Sequence, residues 1–165
     1  MKRIVLKIGD IFSCDVTDGR RRFVQYIAND ETQLNSSVIR GFHPVYHQDE
    51  SADLSQLVNN DCDFYCHCFL RTVVKTLGWR KVGNIAYVDK TEHLFRVSAD
   101  SGTRPGEQVA VSSKWYVWRI NEPMQYVGKL AGKNRIAEIG IVFSPDRIQE
   151  KLQTGFYNIL YPGFE

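Results

Sequence analysis

Apolar and polar residues alternate with a period of two near the N-terminus, which predicts a β-hairpin. One side of its first strand carries Phe12, Cys14 and Val16. Asp18-Gly19 predicts the turn, because glycine adopts positive φ without a Cβ clash. The returning strand runs from Arg22 to Ala28, with an apolar face of Val24, Tyr26 and Ala28. Before the hairpin, Gly9-Asp10 predicts a bend that the Asp10 carboxylate caps.

The same alternation, interrupted by turn residues, predicts further strands downstream. Their bounds are Ser37 to Phe42, Phe64 to Val74, Arg80 to Val88, Leu94 to Val97, Val109 to Val111, Lys114 to Ile120 and Gln125 to Leu130. Phe64 to Val74 is apolar on both faces, which favours a central strand. Between the third and fourth strands, His47 to Asn60 is polar and predicts a loop, with a helical turn around Leu54 to Val58.

One amphipathic helix is predicted near the C-terminus, over about 144–154. Ser144 suits the N-cap, Pro145 the first helical position and Gly155 the position after the last turn. A strand precedes it, with a face of Ile139, Ile141 and Phe143. The order of elements predicts an α+β, predominantly β fold: a curved antiparallel sheet or small open barrel with a C-terminal helix. We expect a single domain spanning 1–165.

Composition narrows the function classes. The chain has 21 basic and 19 acidic residues, so its net charge of +2 does not indicate a nucleic-acid or membrane partner. No apolar stretch is long enough to cross a membrane, and the run after Met1 is too short for a signal peptide. We therefore expect a cytoplasmic protein whose four cysteines are free thiols.

A group of cysteine and histidine residues supplies the atoms that zinc binds, but in an unsuitable spacing. The group comprises Cys62, Cys66, His67 and Cys68, with His43 and His47 earlier in the chain. On a strand, Cys66 and Cys68 point away from His67, so one ion could not bind all three. We expect structural thiols, with no metal and no other cofactor. Zinc is the alternative that metal analysis would detect.

No local motif indicates catalysis, and we expect a protein that is not an enzyme. A small cysteine- and histidine-dependent enzyme is one alternative, for which the candidates are Cys66, His67, His43 and His47. A small β-barrel module that binds nucleic acid is another. Its basic and aromatic candidates are Arg20, Arg21, Arg22, Lys129, Lys133, Arg135, Trp115, Tyr116 and Trp118. The tryptophans, including Trp79, are expected in the core.

One long stretch is distinctly acidic, because no lysine or arginine occurs from Gly41 to Leu70. Its carboxylates are Asp49, Glu50, Asp53, Asp61 and Asp63. Such a stretch is typical of a solvated loop. The alternative is an acidic surface that binds a basic partner.

Several short motifs occur along the chain in a recognisable order. They are Lys-x-Gly-Asp-Ile-Phe at 7–12, Phe-Tyr-Cys-His at 64–67, Gly-Trp-x-x-Val-Gly at 78–83, a tryptophan-rich strand at 115–118 and Ser-Pro-x-x-Ile at 144–148. In this order the chain resembles the immunity protein 26 family. The resemblance implies a mostly β, non-catalytic bacterial protein that binds and neutralises a cognate toxin domain. It implies no small-molecule substrate and supplies no catalytic residues.

Overall fold

The strands form one seven-stranded and one four-stranded sheet in the computed structural model, which describes residues 3–87 and 93–165. The strands are β1 (Asp10–Asp15), β2 (Arg20–Asp30), β3 (Ser36–Phe42), β4 (Tyr46–His47), β5 (Cys62–Cys68), β6 (Arg80–Asn84), β7 (Phe95–Ser98), β8 (Trp115–Trp118), β9 (Gln125–Gly128), β10 (Glu138–Ile139) and β11 (Val142–Phe143). The α-helices are α1 (Leu54–Leu57), α2 (Leu70–Leu77) and α3 (Pro145–Thr154), and a 3₁₀ helix spans Gly132–Ile136.

The larger sheet has the order β11-β5-β3-β2-β1-β6, with β4 paired to β2, and the smaller has the order β10-β7-β8-β9. Neighbours are antiparallel except at β11–β5 and β10–β7, which are parallel. The predicted α+β, predominantly β class is confirmed, with two sheets and a C-terminal helix. Within the described residues neither sheet closes into a barrel. No described helix is long and apolar enough to span a membrane.

One face of the larger sheet, the helix-side face, is covered by α2 and α3. Its buried side chains are Phe12, Cys14, Val24, Tyr26, Ile39, Phe64, Cys66 and Cys68. The helices contribute Leu70, Val73, Val74, Ile148 and Leu152. This face forms the principal core because alternate residues of β1, β2, β3 and β5 all point to it.

The opposite face of the larger sheet is divided between two covers. Ile27 and Val38 pack against Phe95 and Trp118 of the smaller sheet. At the other end, Leu57 of α1 packs on Ile11, Phe23 and Phe42. The acidic stretch therefore belongs to the fold, since its helix closes part of the core.

The C-terminal segment covers the outer face of the smaller sheet. Tyr161 and Phe164 pack on a buried cluster that includes Trp115 and Val117. A parallel bridge between Val111 and Gly163 fixes this segment.

The predicted hairpin is confirmed. β1 pairs antiparallel with β2, and the turn residues Asp18 and Gly19 have φ of 59° and 65°. The bend before β1 is also as expected, since the Asp10 carboxylate accepts a hydrogen bond of 2.8 Å from the Lys7 amide. The C-terminal helix begins at Pro145 and ends at Thr154, and Gly155 follows it with a φ of 83°.

The predicted strand from Phe64 to Val74 is wrong beyond Cys68, because α2 begins at Leu70. Leu70, Val73 and Val74 have the helical spacing of i, i+3 and i+4, whereas on a strand Val73 would lie on the face opposite Leu70 and Val74. Burial against α3 favours the helix, and Gly78 ends it in the left-handed conformation.

Other predicted bounds are shortened. The strand predicted from Arg80 to Val88 ends at Asn84, and its last predicted residue, Val88, lies outside the described residues, as does Met1. The segment Val109–Val111 contributes a single bridge instead of a strand. The strand predicted around Ile139 to Phe143 divides into β10 and β11, which belong to different sheets. The helical turn near Leu54 is confirmed as α1.

Candidate functional site

In β5, Cys66 and Cys68 point to one face and His67 to the other, as the strand alternation predicts. Cys66 and Cys68 lie in the helix-side core, and burial raises the pKa of Cys66 to about 12 and that of Cys68 well above its ordinary value. Both thiols therefore stay protonated and pack as small apolar groups. Within residues 3–87 and 93–165, no three His, Cys, Asp or Glu side chains lie close enough to hold a metal ion.

His67 belongs to a fully buried polar cluster between the sheets. Its Nε2 lies 2.8 Å from Oδ2 of Asp30, and the Trp118 indole donates to the same oxygen at 2.9 Å. Burial lowers the pKa of His67. Burial raises the pKa of Asp30, but hydrogen bonds from His67 and Trp118 outweigh it, so the net shift is downward. A neutral imidazole thus donates to a carboxylate. The other histidine candidates, His43 and His47, are exposed.

Three of the residues considered for nucleic-acid binding, Arg22, Trp115 and Trp118, are buried, whereas the basic candidates Lys129, Lys133 and Arg135 are exposed. Trp79, Trp115 and Trp118 are buried, as expected for core residues. Arg22 is also buried, and its guanidinium donates to the carbonyls of Phe42 and Leu152. These side chains are therefore committed to the fold.

Asp63 differs from the other acidic candidates because it pairs inside the protein. Its carboxylate lies 2.8 Å from Arg22 and 3.7 Å from Lys151, with 15% of its side chain exposed. Asp63 therefore holds the start of β5 to α3, and its charge is paired inside the protein instead of being presented to a partner.

The remaining acidic candidates are exposed. Asp53 caps α1 by accepting from the amides of Ser55 and Gln56, and Glu50 accepts from the amide of His47. Both carboxylates still carry their charge at the surface. Asp49 and Asp61 are exposed as well. The loop is therefore ordered by its own carboxylates, while its negative charge faces solvent.

Asp61 also lies on the rim of a cleft of about 360 Å³, which we call the inter-sheet cleft. Its lining residues are Asp61, Cys62, Tyr65, His93, Leu94, Ile136 and Glu138. The larger sheet supplies residues of β5, and the smaller sheet supplies β10 and the residues just before β7. The parallel pairing of Glu138 with Phe95 sets the position of this wall.

Glu138 is the second carboxylate of the cleft, and it is largely buried without a salt bridge to any described residue. Burial raises its pKa, although Lys151 and Arg96 oppose the shift. Its Oε1 accepts a long hydrogen bond of 3.4 Å from the Tyr65 amide. Within the described part of the chain no cationic nitrogen lies within 4.0 Å of it: Lys151 pairs with Asp63, and Arg96 donates to the Ala137 carbonyl. A buried carboxylate of this kind favours a cationic ligand or protonation.

Stacked aromatic rings form the other wall. The rings of Tyr65 and His93 lie 3.7 Å apart between centroids, and the Tyr87 hydroxyl lies 2.8 Å from His93 Nε2. Burial, followed by the neighbouring Cys62, raises the pKa of Tyr65, so its hydroxyl stays neutral. Arg40 lies 3.8 Å from the Cys62 sulfur, but donates more closely to Gln25.

Sequence reasoning found only Asp61 and Cys62 of these lining residues. Glu138 precedes an apolar strand residue, and His93 belongs to no motif. The cleft exists because β10 joins the smaller sheet beside β5 of the larger one, a pairing of segments far apart in sequence. No local signal marks such a pairing.

Comparison with known proteins assigns no family to this chain. No protein-family model, no curated protein and no solved structure matches it. The resemblance to the immunity protein 26 family therefore stays a hypothesis based on its short motifs. Function has to be inferred from those motifs and from the surface described above.

Proposed function

We propose that this protein is a non-catalytic bacterial protein that neutralises a cognate toxin domain by direct binding in the cytoplasm. The observation that supports this role best is an exposed carboxylate of the acidic stretch in the lining of a cleft. Asp61 extends the acidic stretch to the rim of the inter-sheet cleft, where Glu138 has no salt bridge with any described residue. A basic toxin domain would complement this surface.

The motifs behind the family resemblance act in this fold as scaffold. Asp10 caps the bend before β1, Gly78 ends α2 with φ of 65°, and Trp79 is buried. Residues with such roles specify a fold without performing chemistry. This arrangement suits a family of binding proteins whose exposed surfaces differ with the toxin.

Tight neutralisation needs an apolar anchor as well as charge, because a few desolvated side chains carry most of the binding energy. Ile136 lines the cleft and is 76% exposed. An exposed apolar side chain beside Asp61 and Glu138 has the composition of an interface centre with a charged rim.

The test is gentle purification of the tagged protein from its own host, without nuclease treatment. We expect a stoichiometric polypeptide that is toxic when expressed alone and harmless when this protein is coexpressed. Salt-sensitive nucleic acid in place of a protein would contradict the proposal and support the barrel-module alternative. Coexpression that fails to restore growth would also contradict it.

A second candidate, the small enzyme, is favoured by one observation. The inter-sheet cleft contains Cys62 together with His93 and Glu138, residue types that also form thiol active sites. Iodoacetamide labelling tests it. An activated thiol would react near pH 7 faster than glutathione and slow down in His93→Asn, whereas an ordinary thiol would do neither.

A further inference from the structure

The inter-sheet cleft has the chemistry of a specific side-chain pocket, and we infer that it binds the guanidinium group of an arginine presented by the protein partner. The inference rests on the proposed function, which supplies the partner, and adds the residue type that enters the cleft.

Glu138 is a partly buried carboxylate that forms no salt bridge with a described residue. A carboxylate that is largely buried is stabilised by an opposite charge with hydrogen-bond donors. The nearby basic groups have other acceptors: Lys151 bonds to the Gly155 carbonyl at 2.7 Å, and Arg96 donates to Ala137. Asp61, exposed on the same lining, supplies a second acceptor for an entering cation.

The walls of the cleft also suit a planar cation. Tyr65 and His93 both line the cleft and their rings stack on each other, and a guanidinium packs favourably on an aromatic face that such a stack leaves open. Leu94 and Ile136 are apolar and suit the methylene stem of an arginine. A lysine ammonium would match the charge, but it lacks the planar fork that can serve two carboxylates at once.

The cleft can be tested without the toxin, by titrating the ¹⁵N-labelled full chain with N-acetyl-arginine methylamide. We expect saturable shifts of the Tyr65, Leu94 and Glu138 amides with a dissociation constant on the order of 1 mM, as befits a single side chain. The neutral isostere N-acetyl-citrulline methylamide should bind at least about tenfold more weakly, because the charge is removed and the shape is kept.

Two variants locate the binding groups. Glu138→Gln should weaken the arginine analogue at least about tenfold, since glutamine keeps the acceptor for the Tyr65 amide and loses the charge. Asp61→Asn, at an exposed position, should weaken it by a smaller factor. Glu31→Gln, with the same charge change at an exposed residue outside the cleft lining, should leave binding unchanged.

Absence of a saturable shift, equal binding of the citrulline analogue, or unchanged binding in both cleft variants would overturn the inference. If Glu138→Gln does not fold, the inference is tested by the binding of the citrulline analogue and by the arginine affinity of Asp61→Asn. Arginine binding by a protein that captures no toxin would refute the proposed function alone. If the protein does not bind the arginine analogue and the Glu138→Gln variant still forms the toxin complex, this inference is refuted and the proposed function stands.

Discussion

At the residue scale, His67 and Asp30 are buried polar groups whose surroundings set their protonation. Asp30 Oδ2 accepts from both His67 and Trp118, while His67 Nδ1 has no hydrogen-bond partner among the described residues. A second proton on His67 would therefore create a buried donor without an acceptor, which costs about 1–3 kcal/mol. His67 is consequently neutral in the folded protein.

This pairing predicts that the protein loses stability as the pH falls. The folded pKa of His67 is lowered from 6.5, so the unfolded chain binds the proton more readily, and the free energy of unfolding decreases below that pH. Urea denaturation between about pH 5 and 7 should reveal this slope. His67→Gln, which keeps a donor toward Asp30, should reduce the slope.

The matched control is His47→Gln, at an exposed histidine outside the buried cluster. It should retain the full pH dependence of the wild-type protein. An undiminished slope in His67→Gln would assign the acid sensitivity to other groups.

At the element scale, the short strands β10 and β11 join the two sheets, and glycine is required where the chain passes between them. A Cβ atom on Gly140 would lie 2.0 Å from the Trp118 ring, which is itself buried between the sheets. The aromatic ring and the crossing backbone therefore occupy adjoining space that admits no methyl group.

Gly140→Ala should accordingly lower the free energy of unfolding by about 1–3 kcal/mol, because the added methyl displaces Trp118. Thermal and urea unfolding, with Trp fluorescence as the probe, would measure the change. Gly163→Ala is the control, since its new Cβ would meet only the Ala110 carbonyl at 3.5 Å. Equal destabilisation by the two substitutions would contradict the packing argument.

Arg22 joins three elements through one planar side chain. It donates to the Phe42 carbonyl at the end of β3, to the Leu152 carbonyl of α3 at 3.0 Å and to Asp63 at 2.8 Å. A lysine carries the same charge but lacks the rigid fork that reaches all three acceptors. This side chain thus helps to attach α3 to the sheet.

We predict that Arg22→Lys lowers the free energy of unfolding by about 1–3 kcal/mol, because buried acceptors lose their donors. The half-buried Arg20 provides the control: its side chain makes one salt bridge with a described residue, a 3.5 Å contact with Asp18, and Arg20→Lys should change stability by less than about 0.5 kcal/mol. Urea denaturation compares the two. A tolerated Arg22→Lys would mean that α3 is held mainly by its apolar face.

At the scale of the whole molecule, charge is distributed unevenly although its sum is small. The net charge is +2, yet no lysine or arginine occurs from Gly41 to Leu70, and Asp63 is the only carboxylate of the acidic candidates that pairs with internal cations in the described structure. The exposed carboxylates give this stretch a negative field, which the Arg21 guanidinium on the Glu50 carbonyl reduces locally. Such a field accelerates encounter with a basic partner more than it strengthens the complex.

Neutralising the exposed candidates together should therefore slow association with the toxin. In the variant D49N/E50Q/D53N/D61N, asparagine at position 53 still caps α1. We expect an association rate about tenfold lower at low salt, with the difference vanishing near 1 M salt. Stopped-flow mixing with the purified toxin measures it.

The control for this variant is D18N/E31Q/E122Q/D146N, which removes the same charge from exposed positions outside the acidic stretch. Its association rate should stay close to that of the wild type. Equal rates for the wild type and the acidic-stretch variant at low salt would refute steering by this region.

Elements that depend on contacts between residues close in sequence could be predicted, and those that depend on distant contacts could not. The Asp18-Gly19 hairpin and the helix from Pro145 to Thr154 depend on neighbours in sequence, so their signals could be recognised directly. The apolar segment from Leu70 to Val74 is compatible with both a strand and a helix, and its packing against α3 favours the helix. The internal pairing of Asp63 with Arg22 left no trace in local sequence.

By itself, the sequence determined the mainly β class, the first hairpin, the C-terminal helix and the opposite orientation of Cys66 and His67. Local backbone preferences and side-chain periodicity suffice for these features. Only the tertiary structure decided the division into two sheets, the burial of Asp63 and the meeting of Asp61 with Glu138 in one cleft. These features depend on contacts between distant segments, whose free energy comes from packing and electrostatics that no local pattern encodes.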